Sequence, residues 1–288
     1  KRDAVSYTIP ENVSELGSTS FRSVENLQDL TIPSTVTVPL PASTFTSSSL
    51  VDVVIEDGVK FEGDGYEMFA YCESLRSIRL PEDVSTAFNA TFTRNSSLEE
   101  ITVPKSITSL GNNIFSGTQS LTKMIFNAEN CTSITTPFTA QGSDMPQDIE
   151  LEIGNEVNIL TGPVAGGLGF SCIAERASSI IFKGENDQIL IGEGALEGAI
   201  RPLDGLSGTF YVDSQGILYQ LDEEGRTATL VYCSLGNDTV TIPASFSSGG
   251  EQYQVTGVGQ YAFIEASGLS EITFEDPGAV TEIVARAF

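Results

Sequence analysis

The chain is 288 residues long, 40% hydrophobic and only 18% charged, and its 39 acidic side chains against 14 basic ones give a formal charge of −25. Such a field repels nucleic acid and anionic membrane surfaces and favours cationic partners. No apolar run approaches a bilayer span: Ile159–Ala174 is short and broken by glycine, and the uncharged Leu30–Val51 run is filled with Ser, Thr and Pro.

The chain opens on Lys1-Arg2 without an initiator Met, as expected of a mature or trimmed form whose leader lies outside this sequence. A repeat begins at once. Its strand-ending positions are Ile9, Ile32, Ile55, Leu80, Val103 and Phe126, at intervals of 23, 23, 25, 23 and 23 residues. A phenylalanine falls about halfway between: Phe21, Phe45, Phe69, Phe92, Phe115 and Phe138. Leu27, Leu50, Leu75, Leu98 and Leu121 make a third column in phase with the first two. Three columns holding phase over five or six units define a repeat architecture.

Each unit reads Leu-x-x-aliphatic-x-aliphatic-Pro, a polar turn, an aliphatic position and the Phe. Alternation in the first part predicts a strand with one buried face, so Leu30 and Ile32 point inward while Asp29 and Thr31 point outward. The proline lacks an N–H and stops the ladder. The Phe segment is too short for a helix of its own, which predicts a turn, a 3₁₀ piece or a single helical turn. One unit cannot bury its apolar face alone, but stacked units can. The expected fold is a right-handed repeat solenoid of leucine-rich-repeat type, with a parallel sheet on one face and short turns on the other.

The units RLPEDVSTAFNATFTRNSSLEEI and TVPKSITSLGNNIFSGTQSLTKM resemble the repeats of the BspA-type leucine-rich repeat family. The resemblance covers residues 4–138, where Cys72 occupies the family's small or Cys slot. It resumes over 240–288 with Thr241-Ile-Pro243, Tyr261-Ala-Phe263 and Leu269-Ser-Glu-Ile272. It implies a surface or secreted protein, of bacteria or some protists, that adheres or binds host proteins and is not an enzyme.

Residues 1–138 are thus regular repeats and 139–208 a degenerate stretch of longer ones, in which Ile149–Ile153 and Ile180–Phe182 serve as strands. Ala195-Leu196 resembles the Ala-Phe half-unit with Leu in the Phe column. Over 209–233, three β-prone runs separated by Asp-Ser-Gln-Gly and Asp-Glu-Glu-Gly predict an antiparallel meander laid against the solenoid. Repeats resume over 234–288, all within one elongated solenoid. Because Phe288 stands inside the Phe column, the native chain is expected to continue or to pack on something there.

The absence of histidine removes Ser-His-Asp and Cys-His catalysis and His-ligated zinc. Ser120-Leu-Thr-Lys123 fits S-x-x-K but is the repeat's own Ser-Leu boundary, without companion motifs. Gly192-x-Gly194-x-x-x-Gly198 misses the dinucleotide fingerprint by one residue. The acids from Glu56 to Asp64 lack the register of a calcium loop and read as a solvated rim. Sequons begin at Asn12, Asn89, Asn95, Asn130 and Asn237, as a Ser/Thr-rich composition produces by itself. Of the cysteines at 72, 131, 172 and 233, at least Cys72 reads as a buried free thiol. No cofactor or metal is implied, and no catalytic residue is assigned.

What remains is a surface. The outward residues of the strands form two ladders: Ser6, Asp29, Asp52, Ser77, Glu100, Lys123 and Thr8, Thr31, Val54, Arg79, Thr102, Ile125. From these, Asp29, Thr31, Asp52, Arg79, Glu100, Thr102 and Lys123 are the candidate binding residues, facing an extended or basic protein ligand whose orientation Arg79 and Lys123 fix. The alternative is that this face is merely soluble. Two other roles stand beside protein binding: glycan binding, for which the tyrosines of the 209–233 meander are the one plausible platform, and a structural spacer carrying another domain.

Overall fold

The computed structural model describes residues 5–138, 145–154, 157, 159–160, 169–184, 186–233 and 238–288. Asn237 and half of the Ile159–Ala174 run lie outside them. Strands Ser6–Thr8, Asp29–Ile32, Asp52–Ile55 and Ser77–Arg79 form one four-stranded parallel sheet, and Glu100–Val103, Lys123–Phe126, Ile149–Ile153 and Ala177–Phe182 form another. Coil-to-coil contact runs on between them: the Glu99 N–H donates to the Arg76 carbonyl at 3.2 Å. The protein is a β-solenoid. Strands end before Pro10, Pro33, Pro81 and Pro104, where the ladder loses its donor.

Alternation works as the sequence demands. Leu30, Ile32, Val53, Ile55, Ile101, Val103, Met124 and Phe126 are buried, as are all five residues of the Leu column. A second, shorter wall was not foreseen. Ala87–Phe88, Ser109–Leu110 and Ser133–Ile134 pair in parallel, and Leu40 bridges Phe61, so the aliphatic position of each unit builds a ladder of its own.

The Phe column forms the third wall. Phe45, Phe69, Phe92 and Phe115 are fully buried, with ring centroids 4.9, 6.0 and 6.2 Å apart and planes within 7° of parallel. Aromatic stacking of this kind adds about 0.5–1.5 kcal/mol per pair beyond burial. The segment is neither a helix nor a simple turn. Each Phe sits between two residues of left-handed backbone, two positions before and two after: Ser43 and Ser47, Glu67 and Tyr71, Ala90 and Arg94, Asn113 and Gly117. Alternating left-handed residues chain tight turns together and aim every second N–H at the next coil. The Phe69 N–H donates to Thr91 O at 2.9 Å, and the Phe92 N–H to Ile114 O at 3.1 Å. Gly194 and Gly198 repeat the arrangement around buried Leu196, which stands in the Phe column as its sequence context predicts.

Behind Phe lies a small-residue slot holding Ser48, Cys72, Asn95 and Thr118 on successive coils, all buried. Cys72 Sγ lies 3.2 Å from Ser48 Oγ and donates to Phe45 O at 3.1 Å, and the Cys72 N–H donates to Asn95 Oδ1 at 3.0 Å. All four cysteines are buried free thiols. Burial pushes the Cys131 and Cys172 thiols up to about 11 and about 12, so they stay protonated at neutral pH.

The later part departs from simple coils. Gly208–Val212, Leu218–Asp222 and Thr227–Tyr232 form the expected antiparallel meander, one face of which packs into the core of the coils. They are the centre of an eight-stranded sheet that Asn186–Ile191 joins antiparallel on one side and Glu251–Val258 joins parallel on the other. Both faces of that sheet are covered. Phe210, Val212 and Tyr232 pack into the core of the coils, whereas Tyr211, Tyr219 and Leu230 pack with Tyr253, Val255 and Phe263 in a second core. Thr239–Ile242 and Glu271–Phe274 then restore parallel pairing, and Phe263 stacks on Phe288 at 5.1 Å. Ser171–Ala174 is the single helix among the described residues, and no helix is long and apolar enough to cross a membrane.

Candidate functional site

The period fixes which side chains share the exposed sheet face. Asp29 lies opposite Asp52, and Asp52 opposite Ser77; Thr31 lies opposite Val54, and Val54 opposite Arg79. On the second sheet Glu100 faces Lys123, and Thr102 faces Ile125. Every candidate residue therefore stands on one of the two outward ladders. Asp29, Asp52, Arg79 and Glu100 are exposed, while Thr31, Thr102 and Lys123 are half-buried by their neighbours.

The ladders extend further than the regular spacing indicates. Glu150 and Glu152 continue them from Lys123 and Ile125, and Ser179 and Ile181 follow. The alternation of Ile149-Glu-Leu-Glu-Ile153 carried that signal, but the interval from Lys123 to Glu150 breaks the 23-residue phase that would have assigned the register.

Charge is distributed unevenly along this surface. Arg79 Nη1 donates to Ile55 O at 2.9 Å and its other terminal nitrogen to Asp57 at 3.1 Å, so the guanidinium is tied to the preceding coil. Lys123 Nζ lies 3.0 Å from Glu152 and 3.4 Å from Glu150. Lys183 reaches Glu152 from the other side at 3.2 Å. Burial alone would raise the Glu152 pKa, but hydrogen bonds and charge from the two lysines outweigh it and hold the carboxyl below its usual range. The Glu152 carboxylate in turn raises the Lys123 pKa. Both cationic members of the ladders are thus neutralised within the fold. The early end keeps its negative charge, with Asp29 and Asp52 in register and, among the described residues, only Ser77 donating to Asp52 Oδ1, at 2.5 Å.

Other sequence features resolve into coil-to-coil contacts. Glu56 accepts the Ser34 N–H at 2.9 Å, Asp57 pairs with Arg79, and Asp64 accepts from Asn89 at 3.2 Å, so the acidic stretch is spread over separate partners. The lysine of the Ser120–Lys123 motif is the one clamped by Glu150 and Glu152. The proposed glycan platform is not available: Tyr211, Tyr219 and Tyr232 are buried, because the meander carries protein on both faces. Asn95 is fully buried and accepts the Cys72 N–H, which removes it from the glycosylation acceptors.

Residues 15–141 match the BspA type leucine rich repeat region in six copies. This part of the chain is a BspA-type leucine-rich repeat array. No curated protein matches the chain. Among solved structures, it is similar to a leucine rich cell surface protein from Faecalibacterium prausnitzii A2-165, at 18% identity and a TM-score of 0.36, over 98% of this chain and 65% of that one. It is also similar to a leucine-rich repeat protein from Bacteroides ovatus ATCC 8483, at 15% identity and a TM-score of 0.35, over 97% and 62%. The pneumococcal vaccine antigen PcpA is similar at 18% identity and a TM-score of 0.31, over 97% of this chain and 62% of its own. The chain therefore spans less than two thirds of each of those proteins.

Proposed function

We propose that this chain is a non-enzymatic, extracellular or surface-displayed module that binds a protein ligand through the exposed face of its parallel sheets. The observation that carries the reading is the register. Repeat geometry sets the outward side chains of up to four successive strands in straight rows on a hydrogen-bonded parallel ladder. Such a surface is broad, rigid and preorganised, which lowers the ordering cost of association. The BspA-type repeats support the role and the location. Asp29, Asp52 and Glu100 supply the attraction, and the ligand is basic where it meets them. Arg79 and Lys123, tied down within the fold, act through shape more than through free charge.

The test is a panel of extracellular proteins screened against the parent chain and an Asp29→Ser/Asp52→Ser/Glu100→Ser variant. A ligand that binds this face should bind the variant more weakly, with a shallower dependence on salt. Unchanged binding and an unchanged salt slope would move the site off this face.

A further inference from the structure

Basic side chains are scarce in this chain, and most are neutralised. Lys60, Arg76, Arg79, Lys105, Lys123, Arg176, Lys183 and Arg226 each form an ion pair with a carboxylate. Among the described residues Arg22, Arg94, Arg201 and Arg286 do not, and of these Arg201 and Arg286, both exposed, share a partner. They converge instead on Tyr261. Arg286 Nη1 donates to the Tyr261 hydroxyl at 2.8 Å, and the Arg201 guanidinium lies 5.4 Å from the centre of the Tyr261 ring.

Two guanidinium groups on one phenol repel each other, and in a chain of charge −25 a neighbouring carboxylate would be the ordinary remedy. None is in place. Backbone geometry aims the group outward. Tyr261 and Arg286 both have left-handed backbone, at φ 61° and 65°, and the Tyr261 N–H donates to Arg286 O at 2.8 Å, so they hold the same slot on adjacent coils. At the corresponding slot before Leu196 the chain has Gly194, the residue that adopts this conformation without strain. Since the Tyr261 oxygen accepts from Arg286, its own proton is free to donate. The group therefore presents the phenol O–H and the remaining N–H donors of two guanidinium forks, and no side-chain acceptor. That is the complement of an oxyanion.

We propose that Arg201, Tyr261 and Arg286 form a binding site for a single oxyanion, a carboxylate or a sulfate, carried by a ligand of low total charge. Low total charge follows from the field of the whole chain, which repels polyanions. The site lies on the turn wall and is independent of the sheet-face reading. Tyr71 and Arg94 make a similar tyrosine–arginine pairing one coil apart, at 5.8 Å, but in the slot two residues after the Phe instead of before it, and with one arginine only among the described residues. They are the built-in control.

The experiment follows arginine side-chain Nε–H signals by NMR at fixed ionic strength while sodium sulfate, sodium glucuronate or glucose is added to the full chain. Saturable shifts at Arg201 and Arg286 with at least one anion, none with glucose and none that saturate at Arg94 are the expected result. The tighter of the two anions identifies the group. Arg201→Gln should weaken that binding by about tenfold, the scale of one lost charge-assisted hydrogen bond. Tyr261→Phe should weaken it less, with the thermal melts of both variants matching the parent. Shifts that fail to saturate with both anions, an equal response at Arg94, or full affinity in Arg201→Gln would each overturn the proposal.

Discussion

The coils up to Phe138 and the eight-stranded sheet around the meander solve the same burial problem in opposite ways. In the coils each strand buries one face, and a second and third wall close the interior, so one set of columns serves every unit. In the meander the strands bury both faces, and alternate residues of one strand answer to different cores: Phe210 and Val212 to the first, Tyr211 to the second. A coil position is therefore interchangeable with its counterpart 23 or so residues away, and a meander position has no counterpart. Repetition leaves a face free to vary; two-sided burial leaves none.

The largest test of this contrast is in the Phe column. Phe115→Ala removes a fully buried ring that stacks on Phe92 and meets Phe138 at a tilt, and should cost roughly 3–5 kcal/mol in denaturant unfolding. A melt indistinguishable from the parent would mean the column is not the core. In the meander, Asp213 is the sensitive point: its Oδ1 accepts the N–H groups of Gln215 and Ile217 at 2.9 Å, and its Oδ2 accepts from Tyr219 at 3.3 Å. Asp213→Ala should destabilise by about 1–3 kcal/mol by leaving buried donors unmatched, with no corresponding site in the coils.

A smaller effect is expected from Gly117→Ala, about 1–2 kcal/mol. The residue has φ 75°, and an added β-carbon would lie 3.2 Å from the Arg94 backbone. Equal stability would show that the turn wall yields more readily than its stacked rings imply. Smaller still is the acid limb. The folded-state pKa of Glu152 is depressed, so its contribution is present above the unfolded carboxyl pKa and lost as pH falls through the folded value. Glu152→Gln should flatten stability against pH in that acidic window and leave the alkaline side unchanged; an undiminished acid slope would assign it to other carboxyls.

How much of this was legible in sequence depended on phase. Ladder register from Ser6 to Lys123 could be read directly, because three columns agreed on the interval. It stopped being legible at Glu150 and Glu152, where longer connections shift the count while the local alternation persists. The left-handed pairs were invisible for another reason. Their slots hold Ser, Glu, Tyr, Ala, Arg and Asn in the early coils, and the glycine signature surfaces together only at Gly194 and Gly198. For the meander, turn chemistry disclosed three strands, but nothing local disclosed that Glu251–Val258 would join them in parallel. Consequently the tyrosines there looked available when they are interior.

The nearest-neighbour character of the coils bears on how such a chain changes over generations. Duplicating or deleting one unit would carry its own strand, turn wall and Phe with it, and would alter the array by about 4.8 Å, one strand spacing. Length is then a heritable variable that moves in steps while the fold stays constant. The two-sided sheet has no such freedom, and it sets the fixed point from which the adjustable part is measured.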